Sequence, residues 1–261
     1  MSQVHGNNVR QQKSSHRLAG VSSMVGTTIE WYDFFIYGTA AALIFNKLFF
    51  PSLDPLTGTL AAFGTYAVGF IGRPLGGLVF GHFGDKVGRK SMLLLTLMLM
   101  GIPTVLIGLL PTYESIGYWA AILLIILRFA QGMAMGGEWG GAVLMAVEHA
   151  PVGSKGFWGS LPQTSSGFGL LLASLAIGAV SLLPEEAMFS WGWRIPFLAS
   201  LVLLVVGAYI RAKVPESPDF QKVKEQDAPI KIPALQVFRN HPRELFAIIV
   251  ARAAENAWFY L

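Results

Sequence analysis

Glu30, Asp33 and Arg128 are ionisable side chains set inside long apolar runs. The first run reads Gly26-Thr-Thr-Ile-Glu30-Trp-Tyr-Asp33-Phe-Phe-Ile-Tyr37. At about 100° per residue, Gly26, Glu30, Asp33 and Tyr37 fall on one helical stripe. A carboxylate at the depth of a bilayer costs about 2.5–3.5 kcal/mol. Side chains that bear such a cost bind ions, protons or substrate, or pair with an arginine on a neighbouring helix. A later run reads Arg128-Phe-Ala-Gln131-Gly-Met-Ala-Met135-Gly136-Gly137-Glu138. Arg128, Gln131, Met135 and Glu138 lie within about 80° of one another on a helix. Arg128 is the natural partner for Glu30 or Asp33, and its fork would also take a substrate carboxylate through two parallel hydrogen bonds. Glu138 lies nearer the end of its run, where a proton relay and a gate or interhelical bond are equally open.

The elements that must position these groups follow from composition. The chain has 261 residues, 53% hydrophobic and 13% charged, with no Cys and a net charge of +4. A soluble domain averages about 25% charged residues. Disorder, a collagen-like fibre and a disulfide-stapled domain are excluded. Without Cys there are no thiolate metal sites or Cys nucleophiles. His5, His16, His82, His149 and His241 lie outside the apolar runs or at their ends, and none pairs at metal-ligand spacing. No metal site and no catalytic residue is expected, nor a loop of the G-x-x-x-x-G-K-[ST] type for ATP.

A membrane span needs roughly 20 apolar residues. Six apolar segments fit, near 19–46, 59–82, 91–110, 118–146, 156–182 and 194–211. Only helices satisfy their own backbone in an open spanning structure, so the fold class is an all-α membrane protein. The first run is too long for a secretory leader and contains two acids. Residues 1–17 read as a cytoplasmic tail, disordered at its start, and 18–211 as a bundle of six spans. Residues 212–243 read as a central cytoplasmic loop, with short amphipathic helices near 218–224 and 233–239. Residues 244–261 begin a seventh span that is cut off. Lys86, Arg89, Lys90, Lys155, Lys213, Lys222, Lys224, Lys231, Arg239 and Arg243 crowd the alternate loops, which places the N-terminus in the cytoplasm. The basic balance therefore reads as membrane orientation and not as nucleic-acid binding. Trp119, Trp191 and Trp193 fall at the outer ends, where an aromatic belt sits.

Two backbone patterns complete the reading. Gly132-x-x-x-Gly136-x-x-x-Gly140 and Gly137-x-x-x-Gly141 are small-residue ridges for close helix packing. Gly81-His-Phe-Gly84-Asp85-Lys86-Val-Gly88-Arg89-Lys90 joins segments two and three by a tight turn, in which Asp85 could cap the next helix and pair with a basic side chain.

That turn resembles the signature of the major facilitator superfamily. Glu30-Trp-Tyr-Asp33-Phe, Gly72-Arg73-Pro74-Leu-Gly76-Gly77, Arg128-x-x-Gln131-Gly132, Gly136-Gly137-Glu138-Trp-Gly140-Gly141 and Trp191-Gly-Trp-Arg194-Ile-Pro196-Phe narrow the resemblance. They look like the metabolite:proton symporter family of shikimate, α-ketoglutarate, citrate and proline or betaine permeases, from about residue 20 to 220. The resemblance implies a 3+3 inverted repeat forming the N-terminal half of a twelve-helix transporter, with its partner half absent. It implies that Arg73, Gly81, Asp85, Gly88, Arg89 and Lys90 form a cytoplasmic gate. It also implies that Glu30, Asp33, Tyr37, Arg128, Gln131 and Glu138 line the route of substrate and proton. The antiporter Gly-Pro pattern is missing, since the chain reads Gly167-Phe-Gly169-Leu there, and this favours symport.

The expected function is symport of protons with a small organic acid anion across the plasma membrane, driven by the proton gradient without a cofactor. Substrate, proton and lipid are the expected partners. A proline/betaine-type osmolyte symporter is the alternative of the same class. A truncated, non-transporting half or a scaffold is the alternative of another class. An intramembrane enzyme has no supporting residues.

Overall fold

The structure, a computed structural model, describes the backbone of residues 2–217, 220–221 and 240–260, and the side chains of these except 2–15, 252 and 255–260. Among the described residues every element is helical. Six long helices dominate: α1 (Ser2–Leu43), α3 (Pro55–Val87), α4 (Arg89–Leu109), α6 (Tyr118–His149), α7 (Lys155–Val180) and α9 (Arg194–Lys213). Three short helices, α2 (Phe45–Phe49), α5 (Tyr113–Ile116) and α8 (Glu185–Ala187), and a π-helical turn (Met188–Gly192) connect them. The chain divides into two compact units, Met1–Lys222 and Val223–Leu261. The long helices build the first unit, and α10 (Pro242–Tyr260) belongs to the second. The two short helices expected near 218–224 and 233–239 fall almost wholly outside the described residues.

Each of the six apolar segments holds one long helix. Four of these, α4, α6, α7 and α9, are long and apolar enough to cross a membrane. Helices α1 and α3 are not among them. Glu30, Asp33 and several Ser and Thr dilute α1, and glycines dilute α3. Residues 2–17 correct the expectation of a disordered start, because they are helical and continuous with the rest of α1. No proline interrupts the run from Ser2 to Leu43. At the other end of the bundle Asp54 caps α3, accepting from Leu56 N and Thr57 N at 3.2 Å each, with Pro55 in the first turn.

The packing follows a twofold pattern. Helix α3 lies on α6, α7 lies on α1, and α4 lies on α9. Exchanging α1, α3 and α4 for α6, α7 and α9 maps these contacts onto one another, as a 3+3 repeat requires. Glycines set the closest crossings. A Cβ on Gly72 or Gly76 would meet backbone atoms of Phe129 or Met133, and one on Gly132 or Gly136 would meet the carbonyl oxygens of Gly69 or Arg73. Gly140, the third residue of the ridge, faces open space. Gly76→Ala is therefore expected to lower stability by about 1–3 kcal/mol, and Gly140→Ala to leave it within about 0.5 kcal/mol. Thermal unfolding of the purified protein in detergent reads both, and equal effects would contradict the crossing.

An aromatic core of Tyr32, Tyr37, Phe45, Phe49, Trp193 and Phe197 fills one end of the bundle. Trp193 therefore leaves the expected belt: it is fully buried against Phe45, Phe49 and Phe197, while Trp119 and Trp191 stay exposed. The outer faces carry Leu60, Phe63 and Ile71 of α3, Leu171 and Leu175 of α7, and Val202 and Val205 of α9, all exposed. So much outward apolar surface suits lipid and not water.

Candidate functional site

The stripes read from the sequence turn inward together. Glu30, Asp33 and Tyr37 of α1 and Arg128, Gln131, Met135 and Glu138 of α6 are all buried. They do not form the direct pair expected between Arg128 and Glu30 or Asp33. Instead the charges separate into three levels along the bundle.

The first level joins Asp33 to Arg128 through two neutral groups. Ser200 of α9 donates to Asp33 Oδ1 at 2.7 Å. Thr104 Oγ1 of α4 donates to Asp33 Oδ2 at 2.8 Å, with the Met100 carbonyl oxygen 2.9 Å away as the competing acceptor of its one proton. Gln131 Nε2 donates to the Thr104 hydroxyl at 2.7 Å, and Arg128 Nη1 donates to Gln131 Oε1 at 3.2 Å. An arginine can only donate, so it fixes the amide orientation and every bond in the relay points towards Asp33. Arg128 itself sits over the rings of Tyr37 and Tyr66, 4.3 and 4.7 Å from their centroids, with Phe34 at 5.6 Å. Tyr37 is held by a 2.7 Å hydrogen bond to Thr65. Cation–π contact offsets part of the burial cost of the guanidinium. Arg128 Nε and Nη2 have no hydrogen-bond acceptor among the described residues. The bare Cα of Gly69 makes room for Nε.

The second level is an ion pair that the sequence reading did not single out. Arg211, the third residue from the end of α9, forks onto both oxygens of Glu138. Both side chains are 3% exposed. Arg211 Nη1 also donates to the Leu93 carbonyl at 2.6 Å, and Thr96 donates to Glu138 Oε2 at 2.8 Å. The guanidinium lies where a Cβ of residue 26 would be, so Gly26 is what lets it reach α1. Glu138 thus takes an interhelical bond. Glu30, one turn from Gly26, is buried without any hydrogen bond among the described residues.

The third level is the α3–α4 turn. Gly88 adopts φ +115°, a region that favours glycine. The expected cap, Asp85, makes no hydrogen bond or ion pair among the described residues. Glu216, beyond α9, caps α4 instead, its Oε1 accepting from Arg89 N and Lys90 N at 3.1 Å each. Val214 and Ser217 are buried on either side of Glu216 and hold this remote carboxylate at the start of α4, whereas Asp85 still belongs to α3. Arg89 pairs with Glu148 of α6, whose other oxygen accepts from Ser217. Lys90 Nζ donates to the Ala212 carbonyl at 2.6 Å. Gly81 faces open space. Arg73 is elsewhere: its guanidinium lies over Phe34 and Phe70 at 5.0 and 4.7 Å and donates to Met135 Sδ at 3.3 Å. Twelve residues separate it from Asp85, about 18 Å along a helix, which groups it with the Arg128 level. Glu216→Ala is expected to cost about 1 kcal/mol by removing the cap. Gly88→Ala is expected to cost about 1–3 kcal/mol, since a Cβ there would also strike Glu216. Unfolding midpoints in detergent check the order of the two.

Thr104, Ser200, Arg211, Glu148 and Glu216 are the residues sequence reasoning missed. Hydroxyls in apolar runs carry no signal of their own. Arg211 offered one, as a charge on the last residue of an apolar segment.

A family profile described as sugar (and other) transporter matches residues 18–231. The chain belongs to the sugar (and other) transporter family. Within this transporter family it is 47% identical over 251 residues to the shikimate transporter of Escherichia coli (strain K12), covering 95% of this chain and 57% of that one. It is 39% identical over 256 residues to the proline/betaine transporter of Salmonella typhimurium (strain LT2), covering 94% and 51%. Among solved structures, the major facilitator proton:xylose symporter XylE bound to 6-bromo-6-deoxy-D-glucose matches with a TM-score of 0.70 at 17% identity, over 82% of this chain and 47% of that one. The fold is that of the N-terminal six-helix bundle of a major facilitator, in a multi-pass membrane protein. The transporter family is not one of enzymes. The chain spans about half the length of the curated relatives it matches.

Proposed function

We propose that the gene product is a proton-coupled symporter of the plasma membrane that carries a small organic acid anion by alternating access. The observation that carries this reading is Arg128: a fully buried guanidinium with two nitrogens lacking acceptors, caged by aromatic rings and tied to a carboxylate only through neutral groups. A substrate carboxylate would supply the missing acceptors. Substrate would then bind between this bundle and a second one that rocks against it. The relay through Gln131 and Thr104 gives Asp33 a means to sense whether Arg128 is occupied. No cofactor is needed, because the proton gradient drives the cycle. The basic residues of the N-terminus and the α3–α4 turn support a cytoplasmic position for both, and the Glu216, Glu148 and Arg89 cluster would then act as an inner latch.

A second reading has its own support. Phe34, Tyr37 and Tyr66 would also receive an ammonium or quaternary ammonium group if Arg128 swung aside, as an osmolyte of the proline or betaine type requires. Uptake of labelled shikimate, α-ketoglutarate, proline and glycine betaine into vesicles separates the two, using the product of the complete reading frame with and without an imposed proton gradient. Saturable uptake of an acid, raised by an inward proton gradient, is the expected result. Uptake of betaine alone favours the second reading, and no saturable uptake of any compound overturns both.

A further inference from the structure

The three buried acids differ in how completely they are satisfied. Asp33 accepts from Ser200 and Thr104. Glu138 accepts from Thr96 and from both arms of Arg211. Glu30 is 5% exposed and accepts from nothing among the described residues, and its Oε2 is a buried orphan. A proton placed on Asp33 or Glu138 would displace donors that are already bound, and on Glu138 it would leave Arg211 uncompensated. A proton on Glu30 displaces nothing and removes a buried charge that has no donor.

A second orphan lies one helical turn along α1 from the first. Arg211 Nε is buried without an acceptor among the described residues, and its guanidinium rests against Gly26, one turn from Glu30 on the same helix. The charged groups acting on Glu30 come from four helices: Glu138 of α6, Arg73 of α3, Arg211 of α9 and Asp33 of α1. Arg211 also lines a small cleft, with room for about one water, together with Ser22, Ser23, Lys90, Met145 and Val214. It therefore stands between Glu30 and an opening at the α3–α4 end of the bundle.

We propose that Glu30 is the residue that carries the coupling proton, with Arg211 as the switch that answers its loss. This rests on the symport reading and assigns its proton. In the present arrangement Glu30 is the neutral acid and Arg211 serves Glu138 alone. On release the carboxyl O–H bond breaks, the proton passes to water in the cleft, and the carboxylate left behind draws the Arg211 Nε–H. Arg211 then divides between two carboxylates. The chain that follows it runs three residues to Val214 and on to Glu216, which caps α4. Proton release at Glu30 is thereby linked to the strap that ties α4 and α6 together. Asp33 stays ionised and serves the Arg128 relay.

The test needs no substrate for its first arm. Infrared difference spectra of the reconstituted product of the complete reading frame are recorded across a pH titration. The C=O stretch of a protonated carboxyl is expected in the wild type, absent in Glu30→Gln, shifted in Glu30→Asp and retained in Asp33→Asn. A wild-type spectrum without such a band, or a band that survives Glu30→Gln and vanishes in Asp33→Asn, overturns the assignment. The second arm measures uptake of labelled shikimate and labelled proline into proteoliposomes. Glu30→Gln is expected to lose at least tenfold of the accumulation driven by a proton gradient, and Glu30→Asp to recover at least threefold of that loss. Gradient-driven accumulation that persists in Glu30→Gln overturns the assignment alone. Wild-type uptake indifferent to the gradient overturns the symport reading, and the infrared band then decides whether Glu30 binds a proton at all.

Discussion

Replacing Arg211 by glutamine is expected to destabilise the bundle by about 3–5 kcal/mol. The value is large because the fork bonds both oxygens of Glu138 at a site where each side chain is 3% exposed. Removing the arginine strands the carboxylate away from water with only Thr96 to donate. Glu138→Gln strands the guanidinium in the same way and is expected to cost a similar amount. The double variant Glu138→Leu/Arg211→Met removes both charges and is expected to recover most of the loss, because a buried pair replaced by apolar groups of similar volume is often neutral. A double-mutant cycle on unfolding in detergent measures this coupling. Single variants that cost under about 1 kcal/mol and simply add would show the pair to be an incidental contact.

Arg128 is expected to behave in the opposite way. Arg128→Gln should reduce uptake of the transported anion by about 10–150-fold, the loss of one charged hydrogen-bonding contact worth about 1.5–3 kcal/mol. Arg128→Lys should fail nearly as badly, since an ammonium cannot fork onto a carboxylate. Stability in Arg128→Met is expected to stay within about 1 kcal/mol of the wild type. Among the described residues the guanidinium has no acidic partner to strand, and two of its nitrogens are already unsatisfied. A group that weakens the resting fold and serves transport fits a functional role better than a structural one. Kinetics of uptake alongside unfolding midpoints separate the two effects. Full transport by Arg128→Lys, or collapse of the fold in Arg128→Met, would remove Arg128 from the substrate site. Arg211 and Arg128 are both buried arginines, and their partners alone set these contrasting expectations.

The legible part of the site was the inventory. Burial of Glu30, Asp33, Tyr37, Arg128, Gln131 and Glu138 followed from helical period and from the cost of charge in an apolar run. Their bonding was not legible. Asp33 is held by Ser200 and Thr104, two hydroxyls that look like any other small polar residue in a span. Glu216 caps α4 from 126 residues away along the chain, whereas Asp85 is the nearer carboxylate in sequence. Trp193 shared a segment end with Trp191, yet one is in the core and the other faces outward, because Trp191 sits in the π-helical turn before α9 while Trp193, just beyond that turn, packs on Phe45, Phe49 and Phe197.

The sequence by itself determined the six long helices, their approximate limits within the apolar segments, the inward stripes of α1 and α6 and the buried charges on those stripes. It could do so because periodicity and burial cost are local properties of one helix. Tertiary structure decided which charge meets which. The period fixes a face but neither the rotation nor the height of the neighbouring helix. Those were set where Gly69, Gly72 and Gly76 cross Gly132 and Gly136, and where Gly26 admits Arg211. That register gives Glu138 to Arg211, keeps Arg128 two neutral groups away from Asp33, and leaves Glu30 with no donor.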